Sequence, residues 1–201
     1  MQSGFNQVAT TTDEDINNGS IGCSFPTSFD FFEGQVFGNT GGGSRFSDLP
    51  NVQMIQFDQG ERITSIRMRD AAVRNGPEVV PVRLEINYSD GTTISSGNGN
   101  APNRELVFAG DEYITQVIVH SGGLCLGPGV FSCITVVLRV EVRTNKGNSI
   151  SAGNGLPSQG GSVTSNVIEP DAQREMIVGF HGSAGDVIDS FGVVIVQRTT
   201  A

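Results

Sequence analysis

The sequence predicts an all-β fold, three small antiparallel sheets arranged about a pseudo-threefold axis. Three observations carry that expectation. Apolar and polar residues alternate with period two in several short runs, glycine turns close those runs, and related segments recur along the 201-residue chain. Period two puts alternate side chains on opposite faces of a strand. One small sheet cannot bury both faces, whereas three sheets packed inward share a core.

Residues 1–33 are rich in Asn, Ser, Thr and Gly and end in a cluster of Phe25, Phe29, Phe31 and Phe32. We read the first twenty or so as an arm and the Phe cluster as the point where the chain docks on a domain spanning 34–201. The segment ERITSIRMRDAAVRN (61–75) has Ile63, Ile66, Asp70 and Val73 near helical spacing and no Gly or Pro, so periodicity leaves helix and strand open. In PVRLEINYSDG (81–91), Val82, Leu84, Ile86 and Tyr88 alternate with Arg83, Glu85 and Asn87, and Asp90-Gly91 ends the run. In VLRVEVRTNKG (137–147), Leu138, Val140 and Val142 alternate with Arg139, Glu141 and Arg143, and Lys146-Gly147 ends it. Both read as strands with one buried face.

Residues 82–99 (VRLEINYSDGTTISSGNG) align without a gap with 138–155 (LRVEVRTNKGNSISAGNG) at an offset of 56. A second set comprises GERITSIRM (60–68), GDEYITQVIV (110–119) and GDVIDSFGVV (185–194). Three related hairpin units imply three sheets. By this logic 61–75 is a strand, because its counterparts are.

Composition narrows the function classes. Charged residues are 16% of the chain, below the ~25% of average proteins, while Gly reaches 27 residues and Trp is absent. This excludes coiled coils and helical bundles. No apolar run approaches the ~18 residues of a membrane span, so direct membrane insertion is not expected. The opening MQSGFNQVATTT lacks the basic and apolar regions of a signal peptide, so any export signal is expected to have been removed or never present. A net charge of -9 repels phosphate backbones and anionic lipid surfaces, which argues against a nucleic-acid partner and leaves neutral ligands unaffected.

Cys125 and Cys133 flank the turn-rich LGPGVFS. A disulfide there would imply an oxidising, extracellular or cell-surface location, and two free thiols are the alternative. Cys23 is left over. No CxxC or Cys/His cluster has zinc spacing, so neither metal nor cofactor is expected.

Within the second repeat set, the residue after the Ile is Thr64, Thr115 and Asp189, so only the turn Gly185-Asp186-Val187-Ile188-Asp189 offers a carboxylate at that position. A tight glycine turn presents backbone N–H groups, and a carboxylate four residues on accepts from paired hydroxyls; vicinal hydroxyls of a hexose need that mixture. The competing reading is a carboxylate that caps its own turn. A second glycine-rich stretch, 38–44 with Gly42 at its centre, lets a ligand approach backbone closely. It lacks the Lys-Ser/Thr of a phosphate loop.

The stretches GGGSRFSDLP (41–50), EYITQVIVHSG (112–122), TNKG (144–147) and above all VGFHGSAGDVIDSFGV (178–193) resemble the jacalin-related lectins over roughly residues 34–197. The resemblance implies the β-prism I fold, three four-stranded antiparallel Greek-key sheets, and metal-free carbohydrate binding. It implies that Asp189 takes two sugar hydroxyls, while the backbone amides of Asp186, Val187 and Gly42 donate to the same sugar beside Gly185. Thr64 and Thr115 then argue for one site rather than three. Galactose-preferring members are cleaved beside the sugar, whereas the glycine loop here is internal to an unbroken chain, so mannose or glucose type is the expected specificity. The partners implied are glycans or glycoproteins. Monovalent binding near a Kd of roughly 1 mM would need several sites, so a homo-oligomer is expected.

Two other readings compete with a lectin. A glycosidase wants two carboxylates flanking a bond, but Asp186 and Asp189 share one turn, and His120 and His181 belong to no catalytic motif; we read the chain as no enzyme. A structural or self-assembly module with a weak or lost sugar site is the other.

Overall fold

A computed structural model describes residues 29–55, 60–73, 77–125, 133–158 and 161–198. These comprise β1 Phe29–Glu33, β2 Phe37–Gly38, β3 Ser44–Ser47, α1 Leu49–Val52, β4 Ile63–Ala72, β5 Val79–Tyr88, β6 Thr93–Gly97, β7 Arg104–Val107, β8 Ile114–Cys125, β9 Cys133–Thr144, β10 Ser149–Ala152, β11 Val163–Ile168, β12 Glu175–Ala184 and β13 Ile188–Arg198.

The strands form three antiparallel sheets, ordered β6-β5-β4-β7, β10-β9-β8-β11 and β1-β13-β12-β3. In the first two, the fourth strand returns beside the first, which is the Greek-key order. The third joins both ends of the described chain around the hairpin β12–β13. There β2 adds to β13 as well as β1, so this sheet counts five strands rather than four.

The ambiguous segment 61–75 supplies β4, paired along its length with β5. Gly91 and Gly147 adopt φ of 90° and 79° in the two hairpin turns. Cys125 and Cys133 form a disulfide where β8 and β9 meet. The first strand takes in the last five residues ahead of the 33/34 boundary: Phe29 and Phe31, of the cluster read as the docking point, pack against the core, and β1 pairs with β13 from Phe29↔Arg198 to Glu33↔Val194. The boundary at 33/34 therefore falls at the end of a strand already in the sheet. The rest of the arm, with Phe25 and Cys23, lies outside the described residues.

One core runs through all three sheets and includes Ile66, Leu84, Val117, Val140, Phe180 and Phe191. The last two rings sit 5.0 Å apart between centroids, which adds ~0.5–1.5 kcal/mol beyond area burial. Asp48 is 1% exposed inside this core. It exchanges two bonds with Phe180, whose N–H donates to Oδ2 at 2.8 Å and whose carbonyl accepts the Asp48 N–H at 2.9 Å. Burial pushes the Asp48 carboxyl up to about 7, although the Phe180 amide and Ser96 hydroxyl pull it down.

The hydrogen-bond register corrects one repeat. Every hairpin carries two β-bulges, each leaving one residue without a partner opposite. At one end the unpaired residues are Thr64, Thr115 and Val178; at the other they are Val82, Leu138 and Asp189. Asp189 is therefore the third copy of Val82 and Leu138, not of Thr64 and Thr115. GERITSIRM and GDEYITQVIV lead into the first strand of their hairpins, whereas GDVIDSFGVV leads into the second. The gapless alignment of 82–99 with 138–155 does agree with the register: Val82 and Leu138 are both bulge residues, and Ile86↔Ile94 matches Val142↔Ile150.

Candidate functional site

The corrected register explains how the glycine-rich loop is held. A Cβ on Gly97, Gly153 or Gly38 would lie 2.3, 2.1 or 2.3 Å from the carbonyl oxygen of Val82, Leu138 or Asp189 respectively. All three glycines have positive φ, 86°, 84° and 105°. The Gly-Asn pair that ends both halves of the sequence repeat thus recurs as Gly38-Asn39, and the glycine loop is its third copy. The amides of Asn39 and Asn98 each donate to the bulge carbonyl behind them, of Asp189 and Val82, at 2.9 Å.

Asn39 is the hub of this loop. Its Oδ1 accepts the Gly41 N–H at 3.0 Å, and its carbonyl accepts the Ser183 hydroxyl at 3.2 Å and the Gly42 N–H at a long 3.4 Å. This sets Gly42 directly on Asp189. A Cβ at Gly42 would lie 2.7 Å from Asp189 Cγ and 2.8 Å from Oδ1. Gly42 is required for space, not for backbone conformation.

Across from it stands the turn 185–187. The Gly185 N–H donates to the Val187 carbonyl at 2.9 Å, closing the turn. Asp186 is exposed, and Val187 packs against the apolar cluster of Val80, Val82, Leu124, Val136 and Leu138. Among the described residues, the amides of Asp186 and Val187 donate to no protein acceptor. The five residues named from sequence, Gly42, Gly185, Asp186, Val187 and Asp189, therefore meet at one corner. Asp189 itself is only 5% exposed. That burial raises its pKa; the Gly185 amide counters it and the Asp186 charge adds to it.

Sequence reasoning gave no role to Asn98. Its Nδ2 donates to the Gly185 carbonyl at 2.5 Å, so a residue following β6, in the neighbouring sheet, holds the turn. Asn154, following β10, does the same one sheet away, donating to the Pro77 carbonyl at 2.8 Å ahead of β5. The repeated Gly-Asn-Gly was the available signal, but its partner is distant in sequence. The histidines lie elsewhere. His120 bonds Ser165 through Nδ1 at 2.7 Å, and His181 is 3% exposed. Among the described residues no group of three His, Cys, Asp or Glu side chains could hold a metal ion.

The family model for the jacalin-like lectin domain matches residues 34–194. Solved structures share the fold. Malaysian banana lectin aligns at 21% identity and a TM-score of 0.57, over 84% of this chain and 100% of its own. AcmJRL, a mannose-binding jacalin-related lectin from Ananas comosus, aligns at 18% and 0.57, over 82% and 96%. Artocarpin, solved as a complex with mannotriose, aligns at 18% and 0.56, over 82% and 96%. No curated protein sequence matches the chain significantly.

Proposed function

Because this chain belongs to the jacalin-like lectin domain family, we propose that it is a carbohydrate-binding protein and not an enzyme, holding one hexose at the corner where Gly42 meets the 185–189 turn. The observation that carries this reading is the carboxylate at position 189. Where the other two sheets place Val82 and Leu138, this one places an acid between a glycine-rich loop and two amides that have no protein acceptor among the described residues. Asp189 accepts from two sugar hydroxyls, the Asp186 and Val187 amides donate, and the Gly42 amide exchanges its long bond to Asn39 for a sugar oxygen. The apolar bulge residues elsewhere leave one site per chain. About five hydrogen bonds at ~0.5–1.5 kcal/mol each, less ordering costs, leave a Kd of roughly 1 mM. Clustered display of several chains then supplies useful avidity. The disulfide fits an extracellular or cell-surface setting.

Mannose or glucose is the proposed sugar, because the glycine loop is internal to a continuous chain; two of the similar structures are named for mannose or mannotriose. Calorimetric titration with mannose, glucose and galactose tests this: millimolar binding of the first two and weaker binding of galactose is expected, and binding of none removes the reading. The burial of Asp189 favours a second reading, a self-assembly module whose sugar site has closed. It expects no saccharide signal and an oligomer by mass in solution.

Two substitutions probe the frame. Gly42→Ala drives a methyl into the Asp189 carboxyl and is expected to lower mannose affinity at least tenfold; unchanged affinity would show that Gly42 does not bound the site. Asn98→Ala releases the turn from its neighbouring sheet and is expected to weaken mannose several-fold, read by the same titration against an unaltered circular dichroism spectrum.

A further inference from the structure

The side chain of Asn98 holds the 185–187 turn, and the residue that follows it is glycine. The pair Asn98-Gly99 recurs as Asn154-Gly155 in the other half of the sequence repeat. In such a pair the glycine amide, unscreened by a side chain, can reach the asparagine Cγ.

The two copies are held differently. Asn154 makes three side-chain bonds. Its Nδ2 donates to the Pro77 carbonyl at 2.8 Å, and its Oδ1 accepts the Val79 and Leu156 amides, both at 3.2 Å. The Gly155 amide is engaged as well, donating to the Leu138 carbonyl at 3.2 Å. Among the described residues, Asn98 makes one side-chain bond, to the Gly185 carbonyl, and the Gly99 amide donates to no protein acceptor. Residues 98–100 are exposed, so water reaches the pair. Arg83 Nη1 donates to the Gly99 carbonyl at 3.1 Å, and Arg69 Nε lies 3.8 Å from where a Gly99 Cβ would stand. A neighbouring cation favours the ionised form of an acidic group, here the deprotonated amide nitrogen that attacks.

We propose that Asn98 is a self-modification site, converted to aspartate or isoaspartate by attack of the Gly99 nitrogen, and that this conversion releases the saccharide corner from the neighbouring sheet. The release bears on sugar binding only through the saccharide reading of that corner; the modification itself does not depend on it. The Gly99 nitrogen gives up its proton and bonds to Asn98 Cγ, while Nδ2 takes up a proton and leaves as ammonia. Water then opens the cyclic imide at either carbonyl. One water is consumed and one ammonia released, with no oxidation or reduction. The product carries a carboxylate where Nδ2 stood, an acceptor facing the Gly185 carbonyl, itself an acceptor. The Arg83 and Arg69 guanidiniums offer the new charge a partner on its own sheet, away from the turn.

Ageing the purified full chain in mildly alkaline buffer tests both halves. Peptide mapping by fragmentation mass spectrometry is expected to show Asn98 converting at least about tenfold faster than Asn154, where two more side-chain bonds must break first. Mannose binding, titrated at each time point, is expected to fall in step with the converted fraction. Asn98→Asp, which starts as the product, is expected to bind mannose several-fold more weakly than fresh wild type with an unaltered circular dichroism spectrum, whereas Asn154→Asp keeps wild-type affinity. Equal or faster conversion at Asn154 would overturn the modification site. Wild-type mannose affinity in Asn98→Asp, or in fully converted protein, would overturn its hold on the corner. Fresh wild type that binds no mannose overturns the saccharide reading and the release with it, while the mass map decides the modification independently.

Discussion

Asp189→Asn is expected to abolish measurable saccharide binding while leaving the fold intact. The substitution keeps the shape but removes the buried charged acceptor at the corner and puts an NH2 donor where sugar hydroxyls also donate. Charged hydrogen bonds are worth ~1.5–3 kcal/mol, so a Kd near 1 mM moves beyond roughly 10 mM, past the range of calorimetry. Stability is expected to hold or rise. Burial raises the Asp189 pKa above its ordinary 3.8, so the ionised carboxylate costs the native state free energy at neutral pH. A loss of binding without a loss of melting temperature is therefore the signature of a ligand group rather than a structural one. Wild-type strength on a glycan array in the variant would place the ligand elsewhere. Affinity in the native protein is also expected to fall with acidification, beginning above pH 3.8, as Asp189 takes up its proton.

The second large effect is on stability and comes from Asp48. Burial pushes its carboxyl up to about 7 in the fold, from an ordinary 3.8. The raised value means that the native state holds a proton that the unfolded chain has released, so stability falls as pH rises from about 4 to about 7 and then levels off. At ~1.4 kcal/mol per pKa unit the ceiling is about 4 kcal/mol. Asp48→Asn keeps an acceptor for the Phe180 amide and gives Ser96 a donor, while removing the buried charge. At pH 8 it is expected to raise the melting temperature by as much as ~10 °C, given ~2–4 °C per kcal/mol for a chain of this size; at pH 4 the two proteins should melt together. Equal shifts at both pH values would show that the gain is not electrostatic.

The all-β class and the hairpin units were legible in the sequence because period-two alternation is a local property that a single strand displays. Val82, Leu84, Ile86 and Tyr88 are buried on β5, as their spacing requires. The helix-like spacing at the start of 61–75 misleads for a physical reason. The bulge that leaves Thr64 unpaired breaks the alternation of β4, so Ile63 and Ile66 are both buried although three residues apart.

Pairing and burial belong to the tertiary structure. The third sheet is assembled from both ends of the described chain, and the strand that carries Asp189 is the second of its hairpin, although it looks like the first strands of the other two. A glycine turn followed by Ile and alternating apolar residues reads the same in either position; only the hydrogen-bond register separates them. The residue types at the corner, from Gly42 to Asp189, could be named from sequence, since an acid four residues after a turn glycine is visible in one dimension. That Asp189 stands in for Val82 and Leu138, lies almost wholly buried and is framed by Asn98 from another sheet follows from folding, because contacts between residues 87 apart are set by how the three sheets close on one another.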